Sequence, residues 1–177
     1  TRSVSSAASD VYKRQVIQER MIANSTPTSI SDLYTNQTAD QIVTIKGIVT
    51  IGGSGLLHPS FTKAYVQDES GRGLQLFDYD QLADLERGNE VEVVGYAGYY
   101  FTTYQMTDFE YRVLSTNNTL PEAVVISAAE ANSANYEGTL VSISGSITDT
   151  TLVNQTDGIN LTIDDVTNVM IWSTTEV

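Results

Sequence analysis

The chain contains no cysteine. That excludes a disulfide framework and any thiolate metal site. Three prolines in 177 residues are too few for a proline-rich linker. There is one histidine, His58, so no pair of imidazoles exists to hold zinc. It also has no assignable nucleophile and acid partner, and no catalytic residue, metal ligand or cofactor is assigned. Cations are scarce: nine Lys and Arg stand against 22 Asp and Glu, for a net charge of −13. Such a surface repels phosphate backbones at long range. No apolar run approaches the roughly 20 residues of a membrane-spanning helix, so no membrane span is expected.

What is present favours a folded β protein. Hydrophobic residues make up 41% of the chain, enough for a core. The N-terminus stands apart. Ser5–Gln15 reads SSAASDVYKRQ and resembles the in-frame translation of a sequencing adapter. Residues 1–15 are therefore read as an artefact, and the chain as a fragment of environmental sequence whose own termini are missing. Setting them aside removes three cations and one acid and leaves a net charge of −15. Residues 16–41 form a lead-in with a short helical pattern and a capped turn around Thr28–Tyr34, where hydroxyls satisfy free backbone N–H groups.

From Ile42 the apolar period becomes two. Val43–Thr50 reads as a first strand, with Gly47 marking a bulge or bend. Ala64–Asp68 and Gly73–Phe77 form a hairpin. Asp80–Glu86 has leucines three apart, a capping aspartate and a glycine stop at Gly88, and is expected to be a short helix. Glu90–Gly95 is a fourth strand, Tyr96–Tyr104 an aromatic loop, and Gln105–Leu114 a fifth strand. Five strands with one short helix between the third and fourth is the order of an OB-fold-like Greek-key barrel. The fold class is therefore all-β, with the barrel at 42–120 and a connector at 121–136. A truncated second copy is expected at 137–177. Its Val141–Thr148 aligns without a gap on Val43–Thr50 through the shared V-x-I-x-G-x-[VI]-T. Ile159–Asp165 follows in the place of the second strand, and Val169–Trp172 in the place of Leu74–Phe77.

Three segments carry a family resemblance: Thr44–Thr50 (TIKGIVT), Ala64–Asp78 (AYVQDESGRGLQLFD) and Arg87–Gly95 (RGNEVEVVG). They resemble the OB-fold modules of secreted bacterial multidomain proteins, which sit beside extracellular nucleases and phosphoesterases. The resemblance implies an extracellular or periplasmic, non-catalytic accessory module that binds single-stranded nucleic acid, with any nuclease or phosphoesterase residues in other domains. A structural spacer that contacts neighbouring domains and a carbohydrate-binding module are the alternatives.

Strand geometry separates the two faces of the hairpin. Val66, Leu74 and Leu76 point into the barrel. Tyr65, Gln67, Gln75 and Phe77 point outward, where aromatics and amides suit stacking on a base or a sugar. Lys63 and Arg72 flank that face, while Lys46, Arg112 and His58 are scattered. Tyr99, Tyr100 and Phe101 place aromatics in the loop between strands 4 and 5. Asp78-Tyr79-Asp80 and Asp164-Asp165 offer oxygens for calcium, but each reads better as a strand end, a cap or a turn.

Overall fold

The computed structural model describes residues 4–23, 25–36, 41–53, 55–58, 60–153 and 158–174. Helix α1 runs from Val4 to Ile22, across the boundary expected at residue 15, and α2 from Ile30 to Asn36. Five strands follow: β1 (Gln41–Ile51), β2 (Thr62–Gln67), β3 (Gly73–Asp78), β4 (Glu90–Tyr100) and β5 (Thr103–Ser115). They close a barrel in the order β1-β2-β3-β5-β4, with β4 returning to β1. Only β3 and β5 run parallel within it. This is the OB-fold-like barrel expected from the strand pattern. Among the described residues, no helix is long and apolar enough to cross a membrane.

The barrel is filled by the residues that alternate inward. Ile45, Val49, Val66, Leu74, Leu76, Val91, Val93 and Met106 are fully buried. Ile30 and Leu33 of α2 belong to the same cluster. The helix start is satisfied as expected, since Ser29 Oγ accepts from the Asp32 N–H at 3.2 Å. Asp68, from the β2–β3 turn, also accepts from the Ile30 N–H at 2.7 Å. The bulge expected at Gly47 lies instead between Val49 and Ile51. Gly47 has another task. A Cβ there would sit 2.5 Å from the Gln67 carbonyl oxygen, so only glycine lets β1 pass from its pairing with β4 to its pairing with β2.

The helix expected at Asp80–Glu86 is absent, and residues 79–89 form bends and turns. The backbone groups it would use are taken elsewhere. The buried Thr62 hydroxyl donates to the Asp80 carbonyl at 2.8 Å and accepts from the Leu82 N–H at 2.9 Å. The Leu85 carbonyl accepts from the Gly53 N–H at 2.9 Å. Asp80 does not cap a helix; its own N–H donates to Asp78 Oδ1 at 2.8 Å. Tertiary hydrogen bonds thus override a weak local helical pattern.

Beyond the barrel, β6 (Val124–Ile126) pairs in parallel with β7 (Val141–Ile143). Strands β8 (Ile147–Val153), β9 (Gly158–Ile163) and β10 (Thr167–Trp172) form an antiparallel sheet in the order β10-β9-β8. The continuous strand expected over Val141–Thr148 is broken at 144–146, where the Ser146 N–H is drawn to Asp164 Oδ1 at 2.8 Å. The β8–β9 pairing matches β1–β2 in detail. Val49 faces Val66 and Ile51 faces Tyr65, with Thr50 skipped. Ile147 faces Ile163 and Asp149 faces Thr162, with Thr148 skipped. Each skipped threonine donates its hydroxyl across the sheet at 3.3 Å, to the carbonyl of Tyr65 or of Thr162. On the next strand, Tyr65 bonds its cross-strand partner Gln75 at 2.9 Å, and Thr162 bonds Asn168 at 3.0 Å. In register, Thr167 faces Ile163 as Leu74 faces Val66, while Val169 faces Leu161. Between these pairs lie residues 164–166 in one hairpin and 67–73 in the other, so the connection at 164–166 is shorter by four residues.

A candidate ligand-binding surface

Val66, Leu74 and Leu76 point inward and are fully buried, as the hairpin pattern requires. The opposite face is not the open platform that was expected. Gln67 is 3% and Gln75 7% exposed, and Tyr65 is half-buried. The segment 134–140 lies over one end of it. Gly73 and Gly138 meet backbone to backbone, so that a Cβ on Gly73 would overlap the Gly138 carbonyl. The Leu140 N–H donates to Gln67 Oε1 at 2.9 Å, and the Tyr104 N–H donates to Glu137 Oε1 at 2.7 Å. Arg72 is drawn into the same contact. Its guanidinium donates to the Ala134 carbonyl at 3.0 Å and lies 4.1 Å over the Tyr34 ring. The Tyr34 hydroxyl donates to the Gly73 carbonyl at 3.1 Å. Burial, and then the Glu137 carboxylate, push the Tyr34 phenol well above its ordinary range and raise that of Tyr65.

In the middle of the face the side chains bond to one another. The Tyr65 hydroxyl donates to Gln75 Oε1 at 2.9 Å, and Gln75 Nε2 donates to Gln105 Oε1 at 2.7 Å. Gln105 was not singled out from the sequence, yet it faces Gln75 across the β3–β5 pairing and is itself 8% exposed. Extending the period-two reading into β5 finds it.

At the other end, Phe77 and Lys63 belong to a separate cluster. The Phe77 ring is 5.4 Å from Phe61 and 5.1 Å from Tyr79. His58 stacks on Phe61 at 3.4 Å, and the Lys63 ammonium lies 5.5 Å from the same ring. Tyr79 is 83% exposed.

The aromatic loop expected over Tyr96–Tyr104 is instead a tight hairpin. β4 and β5 run up to Tyr100 and Thr103, and Phe101 and Thr102 form the turn. Phe101 sits at φ +52°, a left-handed conformation that a bulky residue seldom adopts. Tyr99 leans on Tyr104 at 4.8 Å, and Tyr104 packs on Tyr34 at 5.0 Å. Tyr100 and Phe101 meet edge to face at 4.8 Å and remain exposed.

The residues singled out from the sequence therefore fall into three groups. Tyr65, Gln67, Gln75 and Arg72 lie at or beneath the connector, Lys63 and Phe77 beside the β1–β2 loop, and Tyr99, Tyr100 and Phe101 at the hairpin tip. Comparison with protein-family models and with curated proteins returns no match. Among the described residues, the cations do not form a track. Lys46 pairs with Glu90 at 2.9 Å and Arg112 with Glu92 at 2.8 Å. Among the described residues, no group of three or more potential ligands is placed to hold a metal.

Proposed function

We propose that this chain is a non-catalytic binding module of a secreted protein, followed by the opening strands of a second copy of the same module. It engages its ligand through the β4–β5 hairpin. The observation that carries this reading is the hairpin tip. Tyr99, Tyr100 and Phe101 are 49%, 64% and 86% exposed on a strand pair anchored in the barrel. Large aromatics held rigidly in water are costly to leave wet and favour a partner that covers them. The second copy is supported by the matching bulges at Thr50 and Thr148 and their equivalent hydrogen bonds.

The net negative charge and the pairing of Lys46 and Arg112 with acids favour an uncharged ligand over a phosphate chain. The Lys63–Phe61–Phe77–Tyr79 cluster favours the rival reading, in which a single-stranded nucleic acid stacks beside the β1–β2 loop. Titration calorimetry of the full chain with neutral oligosaccharides and with a thymidine oligonucleotide, at low and at physiological salt, separates the two. Salt-independent glycan binding that falls in Phe101→Ala supports the hairpin. Salt-sensitive oligonucleotide binding that falls in Tyr79→Ala supports the rival. Absence of binding to either probe overturns the binding module.

A further inference from the structure

We infer that the outer face of the β4–β5 hairpin carries a subsite for a neutral sugar ring, centred on Gly98 between Tyr96 and Tyr100. The inference rests on the binding-module reading and gives that module a ligand class and a floor. Tyr96, Gly98 and Tyr100 alternate along β4 and so share one face. Gly98 has no side chain, and beside it is a shallow depression of about 190 Å³, lined by the two tyrosines and also by Ala97, Tyr99, Gln105 and Thr107. A space of that size is below the usual range for a drug-sized ligand and suits one ring of a longer sugar. Lys13 of α1 lies 4.6 Å over the Tyr96 ring. Tyr100, 64% exposed, is the freer platform.

The polar side of the depression is built in advance. Gln105 stands directly opposite Gly98, and Thr107 opposite Tyr96. The oxygen of the Gln105 amide is already engaged by Gln75, which is engaged in turn by Tyr65. This chain fixes the amide plane and leaves Gln105 Nε2 as the donor on the side away from Gln75. Donors in such a chain are polarised by the bonds behind them. A pyranose presents an apolar C–H face and an edge of hydroxyls. The first matches the tyrosine ring, and the second matches the Gln105 amide and the Thr107 hydroxyl. None of the lining residues is charged, and Lys13, the cation recorded against them, is held over the Tyr96 ring.

The test titrates the full chain with cellohexaose, laminarihexaose and mannohexaose, followed by calorimetry and by the side-chain amide resonances in ¹⁵N spectra. At least one sugar is expected to move the Gln105 amide resonances and leave those of Gln67 in place. Tyr100→Ala should weaken that sugar about tenfold or more, and Thr107→Val should weaken it severalfold with an unchanged unfolding midpoint. Sugar binding that is lost in Phe101→Ala but unchanged in both of these variants overturns the subsite and leaves the module reading standing. Oligonucleotide binding without sugar binding does the same. Absence of binding to every probe overturns both.

Discussion

Replacing Gly138 by alanine tests whether the 134–140 segment is seated on the barrel as described. Gly138 sits at φ +70°, and a Cβ there would lie 2.5 Å from the Gly73 carbonyl oxygen. Gly71 provides the control, because it sits at φ +81° with nothing within 4 Å of an added Cβ. Alanine at Gly71 therefore costs only the left-handed backbone term, about 1–2 kcal/mol. Gly138→Ala incurs the same term and also lifts the segment. Three hydrogen bonds then open to water: Leu140 to Gln67, Tyr104 to Glu137 and Arg72 to Ala134. At about 0.5–1.5 kcal/mol each, the total rises to roughly 3–6 kcal/mol. Urea denaturation followed by circular dichroism gives the two costs. Amide exchange locates the loss, since the Tyr104 and Leu140 N–H groups should lose protection in Gly138→Ala and keep it in Gly71→Ala. Equal costs to within about 0.5 kcal/mol, with both amides still protected, would refute the seating.

Other parts of the barrel respond in predictable ways. Tyr65→Phe removes the donor to the buried Gln75 oxygen and should cost about 1–3 kcal/mol in urea denaturation, while a loss under about 0.5 kcal/mol would show the relay to be idle. Thr62→Val strips the hydroxyl that holds Asp80 and Leu82 and should cost a similar 1–3 kcal/mol or so, with faster exchange at the Leu82 amide. The fold keeps Tyr34 and Tyr65 protonated above their ordinary value of 10.0. Their contribution is complete below that pH and shrinks as pH rises above it, because the unfolded chain releases those protons first. Thermal midpoints should fall on the alkaline side, and Tyr34→Phe should flatten that fall; an unchanged slope would contradict the burial of Tyr34.

The barrel was legible because its strands alternate cleanly. Val66, Leu74 and Leu76 announce their inward face by period alone. The helix at Asp80–Glu86 misled for a definite reason. Its leucine spacing and its flanking glycine are real, but a threonine 18 residues earlier holds the backbone in another shape. Long-range hydrogen bonds of this kind leave no trace in local pattern. The outer face of the hairpin was assigned to the right residues and the wrong environment. Period two says which way Tyr65 and Gln75 point, but not that residues 134–140 return to cover Gln67. The pair Gly73 and Gly138 was the available hint, two glycines far apart in sequence that let two backbones touch. The row from Tyr65 through Gln75 and Gln105 to Gly98 needs a pairing between β3 and β5, and only topology supplies it.

The one parallel pairing within the barrel, β3 with β5, constrains the order in which the barrel can form. β1, β2 and β3 can zip together as consecutive neighbours, with little chain to close between them. Until the β4–β5 hairpin arrives, Val49, Val66 and Leu74 line an apolar sheet that faces water. The closing step brings Gln105 and Met106 beside Gln75 and Leu76, with the whole of β4 lying between them in sequence. Its rate is set by chain entropy and by how early β4 and β5 find each other, so Tyr99 and Tyr104, touching across the tip, are placed to act in folding.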